Sequence, residues 1–432
     1  SDYYIGKRDI DSFISHSRVS KVKGRILLAT TDNIGFNAEE IFLLEDDKDW
    51  KNILLTQLHS ASIDYPDSLD GLRAPAVPLK PLEPRPHQQK AITQAIGGFT
   101  KEDRGQVIMA CGTGKTLVGI KIKEQLQSKL TLVLFPSLTL LSEAVIYWTR
   151  NSSNIDNILC VCSDKTVAKK GKNANDEMVT STKDVPFLVT SHSDEIKNFI
   201  NSGYDDQIIF STYQSSELVS IAQKDTLKEF DLIIFDEAHK TATKKLKKSE
   251  SYYSLALDDK NIKARKRLFL TATPRIYGVK TKDEFAENSI ELISMSDPKY
   301  YGKEFFTYPF KEAINDGMLS DYQIIVIGVT DTMVKDQIDN RQIIAVDDKT
   351  AMDANAYAML VAVQKVLEDY DIRRSISFHS RVDAAKQFSD QLSYIQFKNN
   401  TKKINTDHIQ GSLPVSSRIK ILDKFNILPG DE

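Results

Sequence analysis

The residues Gly112-Thr113-Gly114-Lys115-Thr116 have the types and spacing of a phosphate-binding loop. They follow a strand-like segment and precede a helix-like one, the context in which glycines let backbone N–H groups turn toward phosphate oxygens. Lys115 is expected to meet the β- and γ-phosphates, and the Thr116 hydroxyl to hold Mg²⁺. Met109 stands where the usual pattern has its first glycine, outside the loop itself. The pattern predicts a site for ATP and Mg²⁺.

Two carboxylates, Asp236 and Glu237, end the apolar run Leu232-Ile233-Ile234-Phe235. Ligands bind at the carboxyl ends of strands in open α/β sheets, so this strand would deliver both side chains to a nucleotide. Asp236 is expected to hold the Mg²⁺ hydration shell, and Glu237 to polarise the attacking water. An acidic pair that merely complements a helix N-terminus is the alternative for an isolated Asp-Glu. The phosphate-binding loop upstream favours hydrolysis.

Two weaker signals fit the same site. Thr271-Ala272-Thr273 ends another apolar strand, and its hydroxyls could bond to His239 and sense the nucleotide state, although such residues often only cap. Arg85 and Gln88 lie upstream of the loop, and a glutamine amide complements the N6 and N7 edge of adenine. The alternative for Gln88 is a surface polar residue after a linker.

The elements that must position these residues alternate between short apolar strands and helix-length segments from Gln88 to about Ser320. This alternation predicts a parallel sheet covered on both faces. The strands are predicted at Gln106–Met109, Thr131–Phe135, Ile208–Ser211, Leu232–Phe235 and Arg267–Leu270. A second α/β unit is predicted from a strand at Ile324–Ile327, a helix at Met352–Tyr370, a strand at Ser375–Phe378 and a helix from about Asp383.

The N-terminal segment predicts a short helix at Asp9–His16, a buried strand at Arg25–Ala29 and a helix at Trp50–Leu58. It is too small to bury its own core, so we expect the end of a larger domain or an appendage. A proline-rich stretch then predicts a stiff connector. We therefore expect boundaries at 1–72, 73–86, 87–320 and 321–432.

Composition excludes low-complexity disorder, since 41% of the residues are hydrophobic and only 13 are proline. The net charge of −3 neither requires nor excludes nucleic acid. Three cysteines cannot close a disulfide framework, which fits a reducing compartment. Cys160 and Cys162 are predicted on one face of a strand rather than in a zinc site. No apolar run is long enough for a membrane span, and the polar first residues are not those of a signal peptide.

The order Arg85-Pro86-His87-Gln88, Gly112 to Thr116, Asp236-Glu237-Ala238-His239 and Thr271-Ala272-Thr273 resembles superfamily 2 helicases and translocases. The resemblance covers about Arg85 to the C-terminus and implies tandem RecA-like domains, the second one incomplete. It places His239 and Thr273 with the catalytic residues. It also implies DNA-backbone contacts in three further motifs, at Ser137, Thr212, Gln214, His379, Ser380 and Arg381.

Within the superfamily, Phe135-Pro136-Ser137-Leu138, Thr273 to Tyr277 and Leu319 to Tyr322 are similar to Type I single-polypeptide (Type ISP) restriction-modification enzymes. In that family an Mrr-like nuclease precedes the motor, and Asp9–Ile14 and Arg25–Asp32 resemble its end. The resemblance implies that the nuclease carboxylates and lysine lie upstream of Ser1. Asp46-Asp47-Lys48 fits the nuclease pattern locally but is interpreted as a solvated charge run. The arginines of motifs V and VI are expected beyond Glu432.

The resemblance implies an ATP-driven translocase on double-stranded DNA that contacts the backbone independently of sequence and drives DNA cleavage. The missing nuclease, methyltransferase and target-recognition domains would belong to the same polypeptide, in a bacterial cytoplasm without a membrane partner. This fragment is expected to bind Mg·ATP and to hydrolyse it slowly. Three alternatives remain: a strand-separating helicase, a motor subunit of a multi-subunit Type I enzyme, and a non-hydrolysing scaffold. Basic loops at 165–172 and 240–267 fit either DNA contact or solvation.

Overall fold

A computed structural model of the chain describes its residues in two compact units, one ending at Asp321 and the other beginning at Tyr322. None of the helices built from these residues has the length and apolar character that crossing a bilayer requires. The described residues are 5–19, 21–22, 24–31, 34, 38, 49–54, 80–152, 157–162, 189–203, 205–242, 244–246, 252–277, 290–328, 332, 354–370, 372, 374–392, 405–410, 421–422 and 424–425.

The helices and strands alternate through most of the first unit. The helices are α1 (Lys7–Ser17), α2 (Pro86–Phe99), α3 (Lys115–Gln125), α4 (Leu138–Asn151), α5 (Ser193–Asn201), α6 (Ser216–Lys224), α7 (Pro298–Tyr301), α8 (Phe310–Asn315), α9 (Ala354–Asp369) and α10 (Val382–Leu392). The strands are β1 (Gly24–Leu28), β2 (Asp49–Ile53), β3 (Arg104–Met109), β4 (Leu130–Phe135), β5 (Asn157–Val161), β6 (Val189–Thr190), β7 (Gln207–Thr212), β8 (Phe230–Phe235), β9 (Lys244–Leu246), β10 (Ala264–Thr271), β11 (Ile290–Leu292) and β12 (Lys303–Tyr308).

The central element is an eight-stranded sheet with the order β12-β3-β10-β8-β4-β7-β5-β6 among the described residues. Every strand pair in it is parallel. Arg267 of β10 lies opposite Arg104 of β3, and Lys303 of β12 lies opposite Gly105. The predicted α/β class is therefore confirmed.

The apolar runs form strands because their alternate side chains enter two separate cores. In β4, Val133 and Phe135 join the core on one face, whereas Leu132 and Leu134 join the core on the other. Burying each such side chain stabilises the fold by about 1.5–3 kcal/mol. Helices α2, α3 and α4 contribute to the first core, and α5 and α6 to the second.

The two neighbouring cysteines follow the same alternation. Cys160 and Cys162 are both buried in the first core. Leu159, which precedes them, and Val161, which lies between them, are buried in the second core. The prediction that they share one face is confirmed, with Cys160 in β5 and Cys162 directly after it.

The described connector residues from Lys80 to Arg85 form neither helix nor strand and lead directly into α2. Pro86 is the first helical residue, where its missing N–H costs no hydrogen bond. The backbone N–H of Leu82 donates to Asn151 Oδ1 of α4 at 3.0 Å, which ties this segment to the first core. The more N-terminal prolines of the connector lie outside the described residues.

Of the N-terminal predictions, one helix is confirmed, the second helix is wrong, and the strand is confirmed in place but not in its burial. Helix α1 matches the prediction at Asp9–His16. The second predicted helix, Trp50–Leu58, is wrong, because Trp50 lies in β2, which pairs in parallel with β1; its positions beyond Leu54 lie outside the described residues. Strand pairing overrides helix propensity here, and Trp, Asn and Ile are weak helix formers.

Strand β1 exists where it was predicted, but it is not buried on both faces. Arg25 is 1% exposed and its Nε donates to Ser17 Oγ of α1 at 2.7 Å, while Ile26 and Leu28 are 63% and 64% exposed. Helix α1 thus contacts one face of the strand, and an apolar run alone did not reveal which face that would be.

In the second unit the predicted helices are confirmed and the predicted strands are not. Helices α9 and α10 match the predictions at Met352–Tyr370 and from Asp383. Ile324–Ile327 and Ser375–Phe378 form neither helix nor strand and pair with no described strand, and Val326 and Phe378 are 89% and 93% exposed. A strand needs a hydrogen-bonded neighbour as well as an apolar sequence.

Candidate active site

The carboxyl ends of five neighbouring strands carry the residues singled out in the sequence. Because the strands are parallel, these ends meet at one edge of the sheet. The edge holds the Gly112–Thr116 loop after β3, Ser137 after β4 and Gln214 after β7. It also holds Asp236 after β8, and Thr271 at the end of β10.

The phosphate-binding loop depends on its two glycines. Gly112 and Gly114 have φ of +80° and +83°, a left-handed backbone that favours glycine. A β-carbon on Gly114 would also overlap the amide of Gln88. Helix α3 begins directly after this turn with Lys115, so its free N–H groups and positive dipole end face the loop. The ammonium of Lys115 is buried and donates to the Met109 carbonyl at 3.4 Å.

Residues at the start of α2 hold the phosphate-binding loop by hydrogen bonds to its backbone. Gln88 Nε2 and His87 Nε2 both donate to the Thr113 carbonyl at 3.0 Å. The Arg85 backbone N–H donates to Gln88 Oε1 at 2.8 Å, which fixes the amide. The His87 ring also stacks on Tyr308, with centroids 4.7 Å apart. In this structure Gln88 therefore braces the loop, while the Arg85 guanidinium is exposed and donates to Met318 Sδ at 3.5 Å.

The acidic pair ends β8 in an unusual backbone conformation. Glu237 has φ +46° and ψ 49°, which is rare for a residue with a side chain. The Glu237 N–H donates to Asp236 Oδ1 at 3.1 Å. Glu237 Oε2 lies 3.3 Å from His239 Nδ1, and that nitrogen lies 3.0 Å from Thr271 Oγ1. A chain of polar contacts therefore joins β8 to β10.

The predicted contact between His239 and the Thr-Ala-Thr segment exists, but through Thr271. Thr273, which the resemblance places with the catalytic residues, is exposed, and its backbone N–H donates to Thr271 Oγ1 at 3.3 Å. Thr271 is the last residue of β10, and its hydroxyl contacts His239, which follows β8. Thr273 lies beyond the end of β10. The role of Thr273 at the site remains a prediction.

The electrostatics of the pair suit a divalent cation. Burial, together with the negative charge of Glu237, raises the pKa of Asp236 to about 6, although Lys115 opposes the shift. The hydrogen bond from His239 lowers the pKa of Glu237. Two adjacent carboxylates, one of them poorly solvated, and the Thr116 hydroxyl are hard oxygen donors of the kind that Mg²⁺ prefers. The donor set therefore fits Mg²⁺.

Residues predicted to touch DNA line the same edge. Ser137 caps α4 by accepting the Leu140 N–H at 3.3 Å. Thr212 is buried, and its Oγ1 accepts the Ser215 N–H at 3.3 Å, so its hydroxyl stabilises the turn after β7. Gln214 Nε2 donates to Tyr253 OH at 3.1 Å. The three residues belong to turns that end neighbouring strands; their DNA contacts remain predictions.

The remaining predicted DNA contacts, His379, Ser380 and Arg381, lie in the second unit just before α10. His379 Nε2 is 3.0 Å from Ser377 Oγ, and its ring lies 4.8 Å from that of Phe388. The Arg381 carbonyl accepts the Ala385 N–H at 3.1 Å at the start of the helix.

Sequence reasoning missed two residues that the structure places in the site. His87 was quoted only as part of a motif, and Tyr213 lay between two residues chosen for DNA contact. The Tyr213 hydroxyl donates to the Asp236 carbonyl at 2.8 Å. Burial raises the pKa of Tyr213 well above its ordinary value, so the hydroxyl stays a donor. Neither role has a spacing signal in a single sequence.

Two family models match the chain. The model described as "Type III restriction enzyme, res subunit" matches residues 81–276, which contain the phosphate-binding loop and the acidic pair. The model described as "Restriction endonuclease", of the Mrr catalytic type, matches residues 1–72.

Solved structures agree with these matches. The ATP-dependent Type ISP restriction-modification enzyme LlaBIII bound to DNA is 26% identical, with a TM-score of 0.80 over 100% of this chain and 29% of that one. Together these matches support a superfamily 2 helicase motor of the kind found in restriction enzymes. A nuclease-deletion mutant of the Type ISP enzyme LlaGI with a DNA substrate mimic is 27% identical, with a TM-score of 0.55 over 80% of this chain and 24% of that one.

Curated relatives of the motor include a probable helicase of African swine fever virus, 27% identical over 57% of this chain and 24% of its own length. The Type I restriction enzyme EcoAI endonuclease subunit of Escherichia coli is 24% identical over 65% of this chain and 27% of its own length. The chain spans about a quarter of the length of these relatives.

Proposed function

We propose that the motor is an ATP-hydrolysing translocase on double-stranded DNA, within a restriction-modification enzyme whose DNA cleavage it drives. The observation that carries this proposal is the structural likeness along the whole chain to a Type ISP enzyme bound to DNA. The site supports it, since Lys115, Asp236 and Glu237 lie at one edge of the sheet with the turns that hold Ser137 and Gln214. In this proposal the chain works in a bacterial cytoplasm beside nuclease, methyltransferase and target-recognition domains.

The roles follow from the geometry of the edge. Lys115 and the N–H groups at the start of α3 bind the phosphates of ATP. Thr116 and Asp236 would hold Mg²⁺, which neutralises charge on the phosphates when it is bound. Glu237 accepts a proton from the attacking water, and the lowered pKa keeps its carboxylate ionised for that purpose. His239 fixes the Glu237 carboxylate by hydrogen bonding and is itself held by Thr271.

Translocation without strand separation can be measured directly. We expect the enzyme that contains this chain to displace a triplex-forming strand from duplex DNA when ATP and Mg²⁺ are present. We expect no unwinding of the same duplex. DNA affinity should fall linearly with salt on logarithmic axes and differ little between unrelated sequences, because backbone phosphates are the contacts of a tracking motor. Triplex displacement that persists without ATP would contradict the proposal.

One observation favours a second candidate. The viral relatives are named as probable helicases, which fits a motor that separates the strands. The two functions differ in one assay: ATP-dependent unwinding of a forked duplex at a rate similar to triplex displacement would favour the helicase.

We also propose that residues 1–432 alone hydrolyse ATP slowly. The site lies on the first unit, and arginines from a second RecA-like domain complete such sites in this superfamily. Arginine fingers contribute about 10³–10⁵ in rate in related phosphoryl-transfer enzymes. We expect Mg·ATP binding with little stimulation of turnover by DNA. Strong DNA-stimulated hydrolysis by these residues alone would place the finger within them.

A further inference from the structure

The turn after β7 and the acidic pair after β8 are joined by one buried side chain, Tyr213. Its hydroxyl donates to the carbonyl oxygen of Asp236 at 2.8 Å. That carbonyl belongs to the peptide that leads into Glu237, the residue with a left-handed backbone at φ +46°. The hydroxyl therefore holds the peptide plane that aims the Glu237 carboxylate.

The other side of Tyr213 belongs to the turn proposed to touch DNA. Thr212 and Gln214 are its chain neighbours, and the three residues share one short turn. The Tyr213 ring lies 5.6 Å from that of Tyr253, whose hydroxyl receives the Gln214 amide. A displacement of this turn by DNA must therefore move Tyr213 or strain its contacts.

The surroundings of Tyr213 make the link stiff. The Tyr213 side chain is fully buried. Its ring stacks on Phe235, the last residue of β8, with centroids 6.4 Å apart. Phe235 in turn stacks on Phe269 of β10 at 4.6 Å. Close-packed aromatic rings transmit a shift rather than absorb it, since the core has no free space for relaxation.

We propose that Tyr213 is the positioning residue that couples DNA contact at the turn after β7 to the placement of Glu237. This inference rests on the proposed function, because it requires that the turn binds DNA. Tyr213 touches neither nucleotide nor DNA in this role and acts through the Asp236–Glu237 peptide. DNA would then stimulate ATP hydrolysis through the Tyr213 hydroxyl and the Asp236 backbone carbonyl.

The test is Tyr213→Phe in the complete enzyme that contains this chain, because residues 1–432 alone are expected to respond little to DNA. The substitution keeps the ring and removes the hydroxyl. Three quantities are measured: the affinity for Mg²⁺ with a non-hydrolysable ATP analogue, the affinity for a fluorescent duplex of arbitrary sequence, and the factor by which each ligand tightens the other. Linkage makes that factor equal in both directions, and it lies typically between about 5 and 150 in coupled proteins. We expect each ligand alone to bind Tyr213→Phe as it binds the wild type, while the coupling factor falls toward one.

The matched control is Tyr301→Phe. Tyr301 is also fully buried in the same core, and its hydroxyl makes a 2.8 Å hydrogen bond with Thr241 Oγ1 rather than with the acidic pair. This control should keep the coupling factor of the wild type. An equal loss in both variants would reveal a general loosening of the core and overturn the assignment.

The failures of the two proposals look different. A wild-type enzyme that binds no duplex removes the proposed function, and this inference with it. A wild-type enzyme that binds both ligands with coupling, and a Tyr213→Phe variant with the same coupling, overturn only the inference. Binding of both ligands to the wild type without any coupling also overturns it, because Tyr213 would then have nothing to transmit.

Discussion

Charged residues at the two edges of the central sheet have different surroundings. At the amino-terminal edge the charges pair with one another: Arg265 Nε lies 2.7 Å from Glu229, and Lys129 Nζ lies 3.4 Å from Asp205. Asp231 there also accepts the backbone N–H of Leu130 at 3.0 Å. Arg265 and Lys129 therefore each have an anion within reach in the same chain.

At the carboxyl-terminal edge the charged residues are arranged to bind a ligand. The Lys115 ammonium donates to a backbone carbonyl, and Asp236 and Glu237 are adjacent carboxylates, one with a raised pKa and one with a strained backbone. Strain and an unfavourable charge environment are retained in proteins where the surrounding fold holds them for function. The comparison teaches that charge alone does not mark the site; the raised pKa of Asp236 and the left-handed backbone of Glu237 do.

The largest effect that would sharpen this comparison concerns hydrolysis. Glu237→Gln should lower single-turnover ATP hydrolysis by about 10²–10⁴, because the amide cannot accept the proton of the attacking water. Binding of Mg·ATP should stay at the wild-type level, which equilibrium titration with a fluorescent ATP checks. Equal turnover in both proteins would remove Glu237 from the reaction.

A smaller loss is expected for affinity at the same edge. Lys115→Ala should weaken binding of Mg·ATP by about 10- to 100-fold, since a charge-assisted hydrogen bond contributes about 1.5–3 kcal/mol. Isothermal titration of the two proteins measures the difference. The melting temperature without nucleotide serves as the control and should change little if the ammonium is there for a ligand rather than for the fold.

The pH dependence tests the state of Asp236. Its carboxyl has a pKa of about 6, raised from the ordinary value of 3.8, so it becomes protonated as pH falls through 6 and then competes with Mg²⁺. The affinity for Mg²⁺ with ATP should fall about tenfold between pH 7 and pH 5, measured by titration at fixed nucleotide. The affinity for ATP without Mg²⁺ is the control. A flat profile would show that Asp236 is not a ligand.

The smallest effect is expected at the opposite edge. Lys129→Ala removes an ion pair between side chains that are 77% and 94% exposed, so unfolding in urea should change by at most about 1 kcal/mol. ATP binding and hydrolysis should match the wild type. A loss of hydrolysis in this variant would break the contrast between the two edges.

The chemistry of the carboxyl edge could be predicted from the sequence because each motif there follows an apolar strand. A phosphate-binding loop and a strand-borne Asp-Glu are short, local patterns with a known mechanism. His87 and Tyr213 escaped prediction because their contacts, with Thr113 and Asp236, join residues far apart in the chain, and a single sequence does not record such contacts.

The failures elsewhere have one physical cause. Trp50 lies in a strand rather than a helix because β1 offers hydrogen bonds to β2. Ile324–Ile327 and Ser375–Phe378 are not strands because no described strand pairs with them. A strand whose side chains pack on both faces, as in β4, can be predicted from its own sequence. Whether an isolated apolar run forms a strand depends on neighbouring strands that the run does not specify.

The strand order has a consequence for the protein during synthesis. The strand that presents the phosphate-binding loop, β3, has as its sheet neighbours β10 and β12, with Arg267 opposite Arg104 and Lys303 opposite Gly105. Both neighbours leave the ribosome long after the loop does, and such distant pairings form slowly. A nascent chain that has emerged only as far as β8 already contains every phosphate-binding residue and still lacks both neighbours of β3. We therefore expect nucleotide binding to arise in a late folding step, once β10 and β12 have paired with β3, and not to guide the early steps.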